Sequence, residues 1–411
     1  MLDLLREAVG HTAIASDVDT FDLHGITPGS VIEPRTSAEA AAVLKLASEN
    51  EWRVECAGAG THVYGNRRTR ADIVITTRRM DAVVEYEPSD LVIGVQAGMP
   101  LQRLAATTKE HRQFLAQDPS ANAHSTVGAM LAAARSGPLR YSQGTPRDHA
   151  LGLEVVTGDG RVLKVGGRVV KNVAGYDIVR LIVGSAGTLG LITSAYLRLK
   201  PIPVADETVA LSAADAQSLI EIAHFAIAEN LEAAAIELLG PGLLGSEWTL
   251  LLRLTGNRES VTDASARIRE RGASAESAQA AVWEQLQSLE LRANAIVRLA
   301  DLPTRLPITM EAARKLIDRS GAAAQLLAHA GDGIVRLYFD AADAEKLAFA
   351  IGEARALLAV SGGTVIAHGR DAELMRRVDA FGSLGAAQPL MARVKQIFDP
   401  AGVLAPGRFV L

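Results

Sequence analysis

The chain has 411 residues, 48% of them hydrophobic, and a net charge of −5, which is enough for two or three domains with sizeable cores. That mild acidity argues against nucleic acid or an anionic membrane surface as the main partner, since both ask for a basic face. The single cysteine, Cys56, excludes an internal disulfide and an iron–sulfur cluster of the chain's own, which takes about four thiolates.

The N-terminal MLDLLREAVGHTAIASD lacks the basic start and long apolar run of a signal peptide, so none is expected. No apolar run reaches the roughly 18 residues of a membrane span. Thr36 to Glu39 is a T-x-x-E capping box opening a helix with Val43, Leu44 and Ala47 on its apolar stripe. Strands are expected at 53–56, 72–76 and 91–96, where β-branched residues gather. Pro100 suits the first turn of a helix ending near Thr108. A second helix is expected from Thr126 to Arg135, stopped by Gly137. The runs 153–157 and 161–165 flank Gly158-Asp159-Gly160 and read as a hairpin. Residues 195–200 alternate as a half-buried strand.

Lys200-Pro201-Ile202-Pro203 marks a boundary, because two prolines in three residues disfavour helix and central strand alike. Beyond it the elements run β-α-β-β-α-β over 206–274 and again over 294–367, with a helix at 281–291 between. That is the order of a ferredoxin-like unit, duplicated. A last helix, 386–398, precedes the loop-rich FDPAGVLAPGRF. The expected division is an N-terminal segment 1–27, a first domain 28–203, a second domain 204–385 and a returning tail 386–411.

Three segments carry chemistry. Ala57-Gly58-Ala59-Gly60-Thr61 follows a short strand, and its glycines let backbone amides face an anion such as a pyrophosphate. It lacks the third glycine and following helix of a Rossmann turn, since Val63 and the turn-like Tyr64-Gly65-Asn66 come next. In DPSANAHSTVGAMLAAARSGPLRYSQG, from Asp118 to Gly144, a helix N-terminus among small residues invites a phosphate or a flavin edge. A tightly packed core helix is the other reading. Val169 to Leu199 sets Lys171, Asn172, Tyr176 and Asp177 beside a turn punctuated by Gly184, Gly187 and Gly190.

Together these segments resemble the FAD-binding PCMH-type (vanillyl-alcohol-oxidase) superfamily of oxidoreductases. Within it the likeness is to the family of FAD-binding subunits E of bacterial glycolate oxidases. It rests on the AGAGT loop, on TVGAMLAAARSGPLR, on GGRVVKNVAGYDIVRLIVGSAGTLGLIT and on the tail. The resemblance implies an α+β fold, a two-subdomain FAD-binding domain followed by a ferredoxin-like cap, with the isoalloxazine between them. Gly58, Ala59, Gly60 and Thr61 would cradle the pyrophosphate. Asp118, Pro119, Thr126, Val127 and Gly128 would line the flavin and its phosphates, and Ser136, Gly137, Gly144, Arg147 and Asp148 would continue the site. Gly190 and Ile192 would pack on the adenosine side. Ala57 and Ala405 stand where relatives often carry Arg and Asn. Thr61 takes the place of a tethering His in some relatives, and His62 comes one residue late, so the FAD is expected to be non-covalent.

Hydroxy-acid oxidation needs a cation for the carboxylate and a base for the hydroxyl proton. Catalytic relatives supply these through H-x-G-D-G-N-x-H and E-H-G motifs, often with a divalent metal. In this chain His329 is followed by Arg336 in place of the second His, and Ala367 precedes His368 in place of the acid. No metal is therefore expected, and both histidines also read as structural residues. Lys171 could place positive charge near a reduced flavin, with Tyr176 and Arg168 nearby, or simply pair with Asp177. Arg140 and Arg147 could meet phosphates or pair with Asp148.

The expected function is an FAD subunit of a glycolate oxidase (dehydrogenase) complex, beside a second flavoprotein subunit and an iron–sulfur subunit. A cytoplasmic chain is expected, with any attachment to the inner membrane made through the complex. A self-sufficient dehydrogenase of another 2-hydroxy acid, such as D-lactate, and a flavin-free scaffold stay open.

Overall fold

The computed structural model describes residues 1–15, 27–61, 70–120, 122–168, 176–272 and 274–408. They form two units. The first comprises 1–136, 145–202 and 383–411; the second comprises 137–144 and 203–382.

In the first unit, strands β1 (Val31–Ile32), β2 (Val54–Ala57) and β3 (Ile73–Thr76) make a parallel sheet in the order β1-β3-β2. Helix α1 (Ser37–Glu49) covers it, burying Ala40, Val43, Leu44 and Ala47 against Ile32, Val54, Ile73 and Ile75. Thr36 caps α1 by accepting from the Glu39 amide at 3.1 Å, while the Glu39 carboxylate reaches the Arg35 amide rather than that of Thr36. The capping box is thus displaced by one residue on its return arm.

A five-stranded antiparallel sheet follows. It contains β4 (Val83–Glu87), β5 (Val92–Gln96), β6 (Ala150–Val156), β7 (Val162–Gly166) and β8 (Leu191–Arg198), ordered β7-β6-β8-β5-β4. The β6–β7 hairpin turns on Gly160, whose φ of +84° asks for glycine. Helices α2 (Leu101–Lys109) and α3 (Val127–Ala132) bury Leu104, Val127, Met130 and Leu131 against Ile93, Val95, Val155 and Leu197. The tail helix Gln388–Phe398 adds Phe398 to this core, and Val403 and Leu404 enter the core of the parallel sheet.

Two local expectations change. Helix α3 ends at Ala132 rather than near Arg135, because Ala134 turns left-handed (φ 47°) and the Gly184 and Ala186 amides take the Leu131 and Ala132 carbonyls. Lys200–Pro201 pairs with Gln113–Phe114 as a two-stranded ribbon, a place where proline's missing donor is tolerated.

In the second unit one eight-stranded antiparallel sheet contains β9 (Ala205–Ala213), β10 (Ala233–Leu239), β11 (Trp248–Gly256), β12 (Glu276–Ser277), β13 (Ala295–Ala300), β14 (Gln325–His329), β15 (Ile334–Phe339) and β16 (Thr364–Gly369). Its order is β12-β9-β11-β10-β14-β15-β13-β16. Each half has its fourth strand outermost, then first, third and second. The two halves join through their second strands, β10 and β14. This is the ferredoxin-like order written twice, as the element order led one to expect. Helices α4 (Ala216–Ala228), α5 (Arg258–Arg269), α7 (Leu306–Ser320) and α8 (Ala344–Ala359) share one large apolar core on one face. Helix α6 (Ala281–Arg292) packs on the other face, with Val282, Trp283, Leu286 and Leu289 against Ala235, Leu251, Ile296 and Leu327.

Candidate functional site

The glycine loop leaves β2 at Ala57. Its carbonyls are tied to β3 and the residue after it: the Thr77 amide donates to the Ala57 carbonyl at 3.1 Å, and Thr76 Oγ1 donates to the Gly58 carbonyl at 2.8 Å. Among the described residues, the amides of Gly58, Ala59 and Gly60 meet no protein acceptor, and the buried Thr61 Oγ1 has no partner. Gly60 holds a φ of +87°. Carbonyls fixed on one side and amides left over on the other make a nest for an anion.

Helix α3 does not supply the dipole end that its sequence suggested. Its Val127 and Gly128 amides donate to the carbonyls of Met99 (3.0 Å) and Ala97 (2.7 Å), and the Ala129 amide donates to the capping Thr126 Oγ1 at 3.3 Å. With these first-turn amides spent, α3 instead supplies a smooth wall. Gly128, Ala129, Ala132 and Ala133 face Gly58, Gly60, Gly187, Gly190, Leu191 and Ile192 across a cleft of about 520 Å³, counted to its open mouth. The glycines are there for close approach. A Cβ at Gly128 would come 2.8 Å from the Ala97 Cβ, and one at Gly190 would come 2.5 Å from Val155 Cγ1.

Cys56 and Arg408 also line the cleft. Burial, then Glu55, push the Cys56 thiol up to about 12, so it is a neutral, unreactive side chain there. Arg408, from the tail, donates to the buried Glu55 carboxylate and to the Ala186 carbonyl. Lys395 locks the same tail by donating to Thr188 O and Leu404 O, both at 2.8 Å, and to Asp399. Gly187 and Arg408 were not among the expected cofactor residues. The GS-x-GTLG turn signals the first, whereas the second is brought in only by the long-range return of the tail.

The remaining expected cofactor residues lie outside this cleft's lining. Asp118 and Ser136 are buried in the first unit, and Val127 points into its core. Arg147 donates to the Val183 carbonyl at 3.0 Å, and Asp148 closes a capping box with Thr145, so the two do not pair. Gly137 and Gly144 belong to the second unit, as does Arg140, which pairs with Asp332 at 3.4 Å. Tyr176 is 94% exposed, and nothing described fixes its phenol. Asp177 caps the helix Ile178–Ile182 and pairs with Arg180. Lys171, Asn172, His62 and the 63–66 turn lie outside the described residues.

The second unit gathers the two histidines on the α6 face of its sheet. His329 lies directly opposite Glu237, with Nδ1 2.7 Å from Glu237 Oε1. Burial, and then Arg336, Arg140 and Arg298, hold the His329 pKa well below 6.5. The imidazole is therefore neutral, Nδ1 shares its hydrogen bond with Glu237, and Nε2 meets no partner among the described residues. Such a group can accept a proton. His368 Nε2 stands 3.6 Å from Glu290 Oε1 of α6. Burial raises Asp332 above the usual carboxylate range despite the nearby Arg140 and Arg298.

Set against known proteins, residues 28–166 match the FAD binding domain model, and residues 202–409 match that of the FAD-linked oxidase C-terminal domain. The chain is 29% identical over 408 residues to D-lactate dehydrogenase of Archaeoglobus fulgidus, covering 92% of this chain and 91% of that one. It is 30% identical over 334 residues to glycolate oxidase subunit GlcE of Escherichia coli, covering 79% and 84%. The match to glycolate oxidase subunit GlcD of Bacillus subtilis is 32% identical but spans 51% of this chain and 41% of that one. Among solved structures, alkyldihydroxyacetonephosphate synthase superposes with a TM-score of 0.74 at 15% identity, over 98% of this chain and 85% of that one.

The fold is that of a PCMH-type flavoprotein oxidoreductase. The chain belongs to the FAD-linked oxidase family, with FAD as its cofactor. The residues present fit that cofactor: leftover amides for the pyrophosphate and a slot walled by glycine and alanine.

Proposed function

We propose that this chain is the FAD-binding subunit of a glycolate oxidase (dehydrogenase) complex and relays electrons within it. FAD, when bound, would supply the electron-accepting and electron-donating chemistry of the relay. The chain's own residues do the rest. The Gly58–Gly60 amides and Thr61 receive the pyrophosphate, and Gly190 and Ile192 wall the adenosine side. Thr61 has no nucleophilic nitrogen for a tether, so the FAD is held non-covalently.

The observation that carries the relay reading is the state of the histidine motifs. His329 keeps its orienting carboxylate, but the positions that would complete a substrate site with it hold Arg336 and Ala367. Likeness to glycolate oxidase subunits supports the assembly. With Cys56 as its only cysteine, the chain cannot hold an iron–sulfur cluster, so clusters belong to a partner. A second flavoprotein would do the primary substrate chemistry, in the cytoplasm. The purified chain should show flavin absorption and little glycolate turnover, while co-purification with the partners restores it. Robust turnover by the chain alone overturns the relay.

A self-sufficient D-lactate-type dehydrogenase is the second reading. It is favoured by the bare Nε2 of His329, a base already oriented by Glu237. Anaerobic bleaching of the bound flavin by D-lactate, without partners, would select it.

A further inference from the structure

Strand pairing builds a continuous polar band across the α6 face of the second unit's sheet. Glu237 faces His329; Arg336 faces Arg298; Tyr338 and His368 both face Ile296. Glu290 leans onto the band from α6. Glu237 and Glu290 are 1% and 2% exposed, and Arg336 is 8% exposed. Charges this deep need partners on the spot. Arg336 meets the Tyr338 hydroxyl and interacts with Glu290 and Glu237. Burial alone would discharge it, yet those neighbours hold its pKa above the ordinary value.

The resemblance implies that catalytic relatives often hold a divalent ion at these motifs, and the donors here do not fit one. The second imidazole is Arg336, and Ala367 points to the opposite face, into the apolar core under the helices. Among the described residues no three His, Cys, Asp or Glu side chains converge as a metal site. The charges already balance, Arg140, Arg298 and Arg336 against Asp332, Glu237 and Glu290. A divalent ion would add two uncompensated charges to a desolvated layer, which is strongly unfavourable.

We propose that the Arg336 guanidinium is the resident cation of this face, built into the chain where catalytic relatives hold a dissociable divalent metal. It holds Glu237 and Glu290 as a separated carboxylate pair. The inference does not rest on the relay reading, because its test reads neither flavin nor turnover.

The test uses the full chain, dialysed against a chelator and then titrated with Mn2+. Bound metal is measured by elemental analysis and the unfolding midpoint by calorimetry. The wild type should hold no stoichiometric ion, and its midpoint should not move. Arg336→Ala leaves two buried carboxylates with one cation fewer. Its midpoint should fall by several degrees and recover on adding Mn2+, with about one ion bound per chain. Arg336→Lys should stay indifferent to the metal. A wild-type chain that binds one Mn2+ per molecule and gains stability from it overturns the proposal. So does an Arg336→Ala variant as stable as the wild type and unresponsive to Mn2+. Should that variant fail to fold, the wild-type and Arg336→Lys titrations decide by the same criteria.

Discussion

Thr126 Oγ1 lies 2.1 Å from the point that a Cβ on Gly58 would occupy. The glycine loop and the N-cap of α3 are pressed together until no side chain fits between them, and that contact bounds the cleft beside them. Gly58→Ala should overpack the joint, costing about 1–3 kcal/mol, and should lower the fraction of chain isolated with flavin. Adding Thr126→Ala removes the clashing oxygen. The double variant should regain part of the flavin content despite losing a cap worth about 1 kcal/mol. Flavin-to-protein ratio and unfolding midpoint of the three variants check this; equal flavin content in all of them would count against the cleft.

The tail is tied to the cleft through Arg408 and Glu55, 6% and 2% exposed. Removing one partner leaves a buried charge unpaired and should cost about 3–5 kcal/mol. Glu55→Gln and Arg408→Met should each loosen FAD, and the double variant should lose less stability than the two single losses added. Additive losses in a denaturant-unfolding cycle would show that the pair is not coupled.

Ala405 sits at φ 41°, a left-handed conformation that costs a Cβ-bearing residue about 1 kcal/mol. Its amide is used, donating to Val54 O at 2.7 Å, so the conformation is held by the strand it meets. Relatives often carry Asn there, a residue that tolerates this region better. Ala405→Gly should raise the unfolding midpoint by a few degrees. A lower midpoint would mean that the buried methyl contributes more than the strain costs.

His329 makes stability depend on pH. Its folded pKa is depressed by burial and by Arg336, Arg140 and Arg298, despite the hydrogen bond to Glu237. In the unfolded chain it titrates near about 6.5. Its contribution is therefore complete above about pH 6.5 and is lost as the pH falls toward the folded value, at up to about 1.4 kcal/mol per pH unit. Asp332, raised by burial, acts with the opposite sign, adding stability as the pH falls through its raised folded value. Unfolding free energies measured from neutral to mildly acidic pH should fall more steeply for the wild type than for His329→Asn. Equal slopes would show that the ring is not held neutral.

Much of this was legible in the sequence, for physical reasons. The duplicated ferredoxin-like order could be read because most strands are short apolar runs and each helix carries its own stripe. Strand β15, Ile334–Phe339, rich in β-branched and aromatic residues, is one such case. The flavin signature could be read because close approach admits only glycine at positions such as Gly58 and Gly190. What could not be read is what the fold brings together from afar. Glu237 meets His329 across 92 residues, and Arg408 meets Glu55 across 353. Local pattern is equally blind to the spent amides of α3, since whether a helix N-terminus is free depends on which carbonyls pack against it. Glu290 looks like one more surface acid of an amphipathic helix until α6 turns it onto the sheet.

A non-covalently held FAD in the cleft between the glycine loop and α3 is the central expectation. The direct measurement is the flavin content of the full chain before and after acid precipitation. About one FAD per chain, released entirely into the supernatant, is the expected result. A colourless chain that takes up no added FAD, or flavin that stays with the precipitate, would contradict it.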